Sequence, residues 1–361
     1  MAVILAARRG PVAPRGGALK HLAPHDLAAP VIRAALSDAG IARDAVGEVV
    51  LSNAIGPGGN VARICALAAG LPERVAGLSI DRQCAGGLDA VLLAAALVDA
   101  GAHEVVVAGG VESCSRRPLR LAIDPEGGAP VPYDQAPFTP WPDRDPDMAE
   151  AADRLGRDIG IDRAAQEAWA RKSHAAALAA GPDPAIVPLA GLDRDPFARD
   201  LTPRLCARAP VVAGAVTAAT MAVAADGAAA LVVVSDAVAA GRGWRVAGCT
   251  RGGDPERPGL APVAAIRAAL AAGGLAPEDV VAAEVMEAFA VQAIACVDSA
   301  GLPRGIVNAR GGALARGHPI GASGAVLAVE LIRRLEAVPG PGLAAIASAG
   351  GIGTALVLRP V

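Results

Sequence analysis

Four stretches of this 361-residue chain hold residues whose types and spacing suit chemistry. In SIDRQCAGGLDAVLLAAALVDAG a strand ends near Ile80, a short polar turn carries Cys84, and a helix begins around Gly86. A cysteine at a helix N-terminus faces the positive end of the dipole and unpaired backbone N–H groups, which favour thiolate. The two glycines that follow let a substrate approach the backbone, where those N–H groups could hold an oxyanion. The competing reading is a buried structural cysteine in a turn. In GGALARGHPIGASGAVLAVELIRRL, His318 lies in a glycine-rich loop just before a helix. The dipole there disfavours the imidazolium and suits the residue to act as a base. A phosphate-cradling loop with an incidental histidine is the alternative, but no GK[ST] follows either glycine cluster. In EVMEAFAVQAIACV, Glu287 stands where a strand meets a helix, as a helix N-terminal charge or as an orienter of a site. ASAGGIGTALV joins two strands through glycines from Gly350 and reads as a backbone-lined wall beside a ligand. His21, His25, His103 and His174 are read as surface or helix-end residues, and no pair has metal-ligand spacing.

The elements that must position these residues alternate between short β-branched runs and alanine-rich stretches, the pattern of a layered α/β protein. The pattern predicts strands over Ala2–Ala6, Glu48–Leu51, Gly77–Ile80, Glu104–Ala108, Ala229–Val234, Ala283–Val285, Gly342–Ser348 and Ala355–Leu358. It predicts helices over Asp26–Ala39, Val61–Ala69, Gly87–Ala100, Ala164–Ala179, Ala261–Ala271, Ala288–Ala300 and Ser323–Leu335. PVIRAALSDAGIARDAVGEVV from Pro30 echoes PVAAIRAALAAGGLAPEDVVAAEV from Pro262, each giving helix, glycine stop, acidic turn and strand. The echo continues from Gly87 into EVVVAGG and from Ser323 into LAAIASAGG, so the chain reads as two related halves. Between them the composition changes: PVPYDQAPFTPWPDRDPDM is rich in Pro and Asp, and one amphipathic helix follows. That segment is expected to be an insertion that caps something, not a third core layer. The expected division is 1–114 with 222–240, an inserted loop domain 115–221, and 241–361.

Composition narrows the function classes. Hydrophobic residues make up 53% and aromatics only 2%, so the core must be built from small aliphatic side chains packed closely. A net charge of −3 gives no basic face for nucleic acid. No apolar stretch approaches the roughly 20 residues that span a bilayer. MAVILAARRG places its apolar residues before its charges, unlike a secretory signal, so the expected compartment is the cytoplasm. The six cysteines have no CxxC pair and are expected to be free thiols.

In order and over nearly the whole chain, these segments resemble the thiolase family. AVILAARRGPVAPRGGAL resembles its first strand and loop, IDRQCAGGLDAV its nucleophile motif, MEAFA its NEAF-type motif, GGALARGHPIGASGA its histidine motif and AGGIGTALV its C-terminal glycine motif. The resemblance implies a five-layered αβαβα fold of two similar halves with a loop domain inserted in the first. It implies a homodimer or tetramer that uses a coenzyme A thioester as substrate, with no permanently bound cofactor and no metal. By position, Cys84 would take the acyl group. His318 would receive its proton and help form the oxyanion hole, and Gly351 would lie beside the acyl group. Ala222 and Phe289 would lie near the pantetheine arm.

Four positions depart from the family's pattern. Met286 stands where the family has Asn, or sometimes His, before Glu-Ala-Phe. Ala347, followed by Ser348, stands where its second cysteine normally removes an α-proton. Ala222 and Ala225 replace the usual Ser and Asn. Acyl transfer to Cys84 needs a thiolate, a base and one oxyanion hole, whereas carbon–carbon chemistry needs a second base and an enolate stabiliser as well. The leading expectation is therefore an acyltransferase acting through Cys84 on a coenzyme A or carrier-protein thioester. A conventional acetyl-CoA acetyltransferase or 3-ketoacyl-CoA thiolase is the second reading. A catalytically silent subunit that supports a partner enzyme is the third. A Rossmann oxidoreductase is disfavoured because no GxGxxG opens a helix after the first strand.

Overall fold

The computed structural model describes all of residues 1–361. In chain order the main elements are β1 (Val3–Arg9), α1 (Pro24–Ala39), β2 (Glu48–Ser52), α2 (Val61–Ala68), β3 (Leu78–Ile80), α3 (Gly86–Asp99) and β4 (Val105–Ser113). There follow α4 (Met148–Ile159), α5 (Arg163–Ala179), β5 (Ala225–Val234), β6 (Trp244–Gly252), α6 (Ala261–Ala272), β7 (Ala282–Val285), α7 (Ala290–Ser299), α8 (Ile320–Ala337), β8 (Gly342–Ser348) and β9 (Ile352–Pro360).

The strands form two half-sheets of matching order. In one, β1, β5 and β4 pair antiparallel, and β4 continues through β2 to β3 in parallel. In the other, β6, β9 and β8 pair antiparallel and β8 continues to β7 in parallel. The halves join where Val3 and Ile4 of β1 meet Arg245 and Trp244 of β6. The echo read in the sequence is thus a structural duplication: α1–β2 corresponds to α6–β7, and α3–β4 to α8–β8.

Strand period places the side chains in three cores. Along β5, Ala229, Leu231 and Val233 face a central core with α3 and α8, while Ala228, Ala230 and Val232 face an outer core with α1 and α2. On the other sheet, Ala344 and Ile346 face the central core, and Leu343 and Ala345 face a second outer core with α6 and α7. The layers therefore run αβαβα. The two central helices touch through glycine. A Cβ on Gly87 would come within 2.7 Å of the Ala325 nitrogen, and one on Gly324 within 2.3 Å of the Leu88 nitrogen. Low aromatic content follows from that spacing.

Four differences from the sequence reading have local causes. Strand β6, WRVAGCTRG, went unpredicted because Gly, Cys and Arg break its apolar run and most of it is only partly buried. Residues 288–289 do not join α7, because the Ala288 carbonyl accepts from the Ala222 backbone instead. Helix α8 starts three residues earlier than predicted, just after Pro319, whose φ of −76° suits a helix entry. The segment 115–221 carries two long helices, not one, and α5 sends Trp169 and Ala170 into the second outer core. Part of that segment therefore belongs to a core.

Candidate active site

Cys84 is held on a single 3₁₀ turn, Gln83–Ala85, directly ahead of α3. The turn is fixed from several sides. Gln83 takes a left-handed φ of 51°, which costs a non-glycine residue about 1 kcal/mol. Its N–H donates to Asp81 Oδ1 at 2.7 Å, and Ser348 Oγ, from the other half, donates to the Arg82 carbonyl at 3.0 Å.

His318 comes from the equivalent turn ahead of α8. Its backbone is threaded against residues 223–225: His318 N–H donates to the Val223 carbonyl at 2.8 Å, and Ala225 N–H donates to the His318 carbonyl at 3.3 Å. The same passing segment pairs with residues 288–290 through Ala222 and Thr220. The imidazole Nε2 lies 3.1 Å from Cys84 Sγ. Its other nitrogen, Nδ1, lies 2.6 Å from Ser323 Oγ. That hydroxyl has one proton, which it donates to the Pro319 carbonyl at 3.1 Å. Nδ1 must therefore carry the proton shared with Ser323, leaving the Nε2 lone pair aimed at the Cys84 thiol.

Burial sets the resting charge state. It pushes the Cys84 thiol up to about 12, with Glu112 and Asp81 adding to the rise and the Cys84 backbone N–H opposing it. Burial also holds His318 down to about 4. The pair rests as thiol and neutral imidazole. The helix-dipole argument from the sequence favoured a standing thiolate. In this structure desolvation outweighs it, and the proton must move when substrate is attacked.

A cavity of about 210 Å³ opens beside the pair. Of the residues singled out from the sequence, Cys84, His318, Ala222, Phe289, Ala347 and Ser348 line it. The other four lie outside its wall, Ala225 among them as a buried residue of β5 in the central core. Met286 is 1% exposed and packs into the central core. Gly351 turns toward the 253–254 loop, its carbonyl accepting from Gly253 N–H at 2.7 Å, and a Cβ there would strike Asp254 backbone at 2.6 Å. Glu287 faces α5. It accepts from Trp169 Nε1 at 3.0 Å, Ser173 Oγ at 2.8 Å, Asn308 Nδ2 at 2.8 Å and Leu314 N–H at 3.2 Å. It fixes α5 and the 308–314 loop, and it touches neither Cys84 nor His318.

Sequence reasoning missed Ser323 and Glu112. Buried Glu112, near the end of β4, accepts from Asn53 Nδ2 at 2.8 Å and from the N–H groups of Ala54, Ile55 and Gly321 at 3.0, 3.2 and 3.0 Å. It anchors the first turn of the helix behind His318. The available signal was one glutamate in the otherwise uncharged run VVVAGGVES. No group of three or more His, Cys, Asp or Glu side chains converges to hold a metal ion, and no helix is long and apolar enough to cross a membrane.

Comparison with known proteins covers both halves. The family model described as thiolase, N-terminal domain matches residues 2–237, and that for thiolase, C-terminal domain matches 239–360. "Putative acetyl-CoA C-acetyltransferase YhfS" of Bacillus subtilis (strain 168) is 39% identical, with 99% of each chain covered. "Putative acetyl-CoA C-acetyltransferase VraB" of Staphylococcus haemolyticus (strain JCSC1435) is 36% identical, covering 99% of this chain and 98% of its own. The crystal structure of the Bacillus anthracis acetyl-CoA acetyltransferase matches with a TM-score of 0.94 at 35% identity, covering 100% of this chain and 98% of that one. With the duplicated five-layer fold and near end-to-end matches in sequence and structure, the chain belongs to the thiolase family.

Proposed function

We propose that this protein takes an acyl group from a coenzyme A thioester, or from a carrier-protein thioester, onto Cys84 and passes it to an acceptor. The observation that carries the reading is the 3.1 Å contact between Cys84 Sγ and Nε2 of His318. As Sγ attacks the thioester carbon, its proton passes to Nε2. The carbon–sulfur bond of the donor then breaks, and the departing thiolate takes that proton from His318. Charge exists only during transfer, which suits a pair that rests neutral. Six free cysteines support a reducing compartment, the cytoplasm, and the family supports a homodimer or tetramer.

Ala347 offers a methyl group to the cavity, and Met286 is sealed in the core. No second base stands at either position to remove an α-proton, so the reading favours a nitrogen, oxygen or water acceptor, or a decarboxylating carbon one. The names of the relatives support the second reading, a conventional acetyl-CoA C-acetyltransferase. Intact mass after incubation with acetyl-CoA and longer acyl-CoAs tests the proposal. A stoichiometric adduct on wild type, absent from Cys84→Ala, is expected. Absence of any adduct overturns the coenzyme A reading.

A further inference from the structure

The fourth residue of α3 is Asp89 and the fourth of α8 is Ser323, each five residues after a member of the reacting pair. Ser323 holds the His318 ring, whereas Asp89 reaches into the other half of the fold. Its Oδ1 accepts from Thr250 Oγ1 of β6 at 2.5 Å and from Thr354 Oγ1 of β9 at 2.9 Å. Its Oδ2 lies 3.3 Å from a guanidinium nitrogen of Arg82. Asp89 is 6% exposed, so its charge needs such partners. Burial pushes the carboxyl up, and Thr250, Arg82 and Thr354 oppose the rise. The dipole of α3 also favours an acid in the first turn, but a dipole needs no contact with β6, β9 or Arg82.

Arg82 opens the turn that carries Cys84. Its carbonyl accepts from Ala85 N–H at 3.1 Å, which closes the turn, and from Ser348 Oγ at 3.0 Å. Arg82 is thus tied at its carbonyl by Ser348 and at its side chain by Asp89. Gln83, next in the turn, keeps a left-handed φ of 51°, a conformation that persists only where the surroundings hold it. We propose that Asp89 is a positioning residue for the nucleophile: held by both threonines, it pairs with Arg82 and so keeps Cys84 Sγ within reach of His318 Nε2. This rests on the acyl-transfer reading of the same site.

Asp89→Asn keeps the size of the side chain and an oxygen for the threonines but removes the charge that Arg82 pairs with. Arg82→Gln removes the other partner. At saturating acetyl-CoA, acylation followed by intact mass should slow about 10–100-fold in each. The affinity for acetyl-CoA, measured by calorimetry in a Cys84→Ala background, should not change. A contact that only stabilises the fold would instead lower the denaturant midpoint and leave the acylation rate alone. The double variant should be no slower than the slower single one, because both remove the same contact. An unchanged rate in Arg82→Gln overturns the proposal even where Asp89→Asn fails to fold, as do losses that multiply in the double variant. If no thioester acylates wild type, acetyl-CoA included, the acyl-transfer reading fails and iodoacetamide decides the role of Asp89. Cys84 should then be alkylated more slowly in Arg82→Gln than in wild type, and equal or faster alkylation overturns the proposal.

Discussion

Cys84 and His318 occupy corresponding places in the two halves of the duplicated fold, Cys84 two residues before α3 and His318 two residues before α8. Because α3 and α8 pack against each other in the central layer, the two turns meet, and the 3.1 Å contact follows from the duplication. Nucleophile and base are thus set by helix packing more than by loop conformation, and the contact should be rigid.

That rigidity depends on glycine. A methyl on Gly324 would already lie 2.3 Å from the Leu88 nitrogen, which belongs to backbone and cannot rotate away. Gly324→Ala should cost about 2–3 kcal/mol, read as a lower denaturant midpoint, and should slow acylation of Cys84 by pushing the two turns apart. An unchanged midpoint would mean that the helices can separate freely.

Ser323 fixes the tautomer of His318, and its removal isolates that effect. Ser323→Ala leaves Nδ1 without its acceptor, so the imidazole is free to place its proton on Nε2, facing the thiol. Acylation should fall by about 10–100-fold while the unfolding midpoint changes little. Ser323→Thr keeps the hydroxyl and should retain more activity than Ser323→Ala.

The resting charge state predicts a pH response. With His318 near 4 and Cys84 near 12, the neutral pair persists across the ordinary range, so acylation should stay level near neutrality and fall only in acid as His318 gains a proton. Stability has a matching sign. Between about pH 4 and 6.5 the unfolded imidazole binds a proton that the folded one refuses, so the contribution is present above 6.5 and lost as pH falls toward 4. The stability of wild type relative to His318→Asn should therefore rise with pH across that window.

Much of this arrangement is legible in the sequence because it is local. The strand–turn–helix around Cys84 is written in SIDRQCAGGL, and the repeat shows as two helix–glycine–strand runs. What is not legible depends on partners far apart in the chain. Glu112 reaches Gly321 across 209 residues, and Glu287 reaches Trp169 across 118. Neither contact leaves a mark in spacing. The charge state of Cys84 is another such case: the dipole of α3 is visible in the sequence, while the desolvation that raises the thiol is not.

Carbon–carbon chemistry offers the last test. If the site lacks a second base, wild type incubated with deuterated acetyl-CoA should show no exchange of the methyl deuterons of the free thioester with water. Ala347 lines the cavity and is 8% exposed, so Ala347→Cys adds one sulfur to the wall with little repacking. That variant should gain measurable exchange. Met286→Asn should not do the same alone: at 1% exposure in an apolar core, its amide would be left unpaired and would destabilise the fold by about 1–3 kcal/mol. Exchange already present in wild type would restore the conventional acetyltransferase reading and place the second base on a residue other than Met286 or Ala347.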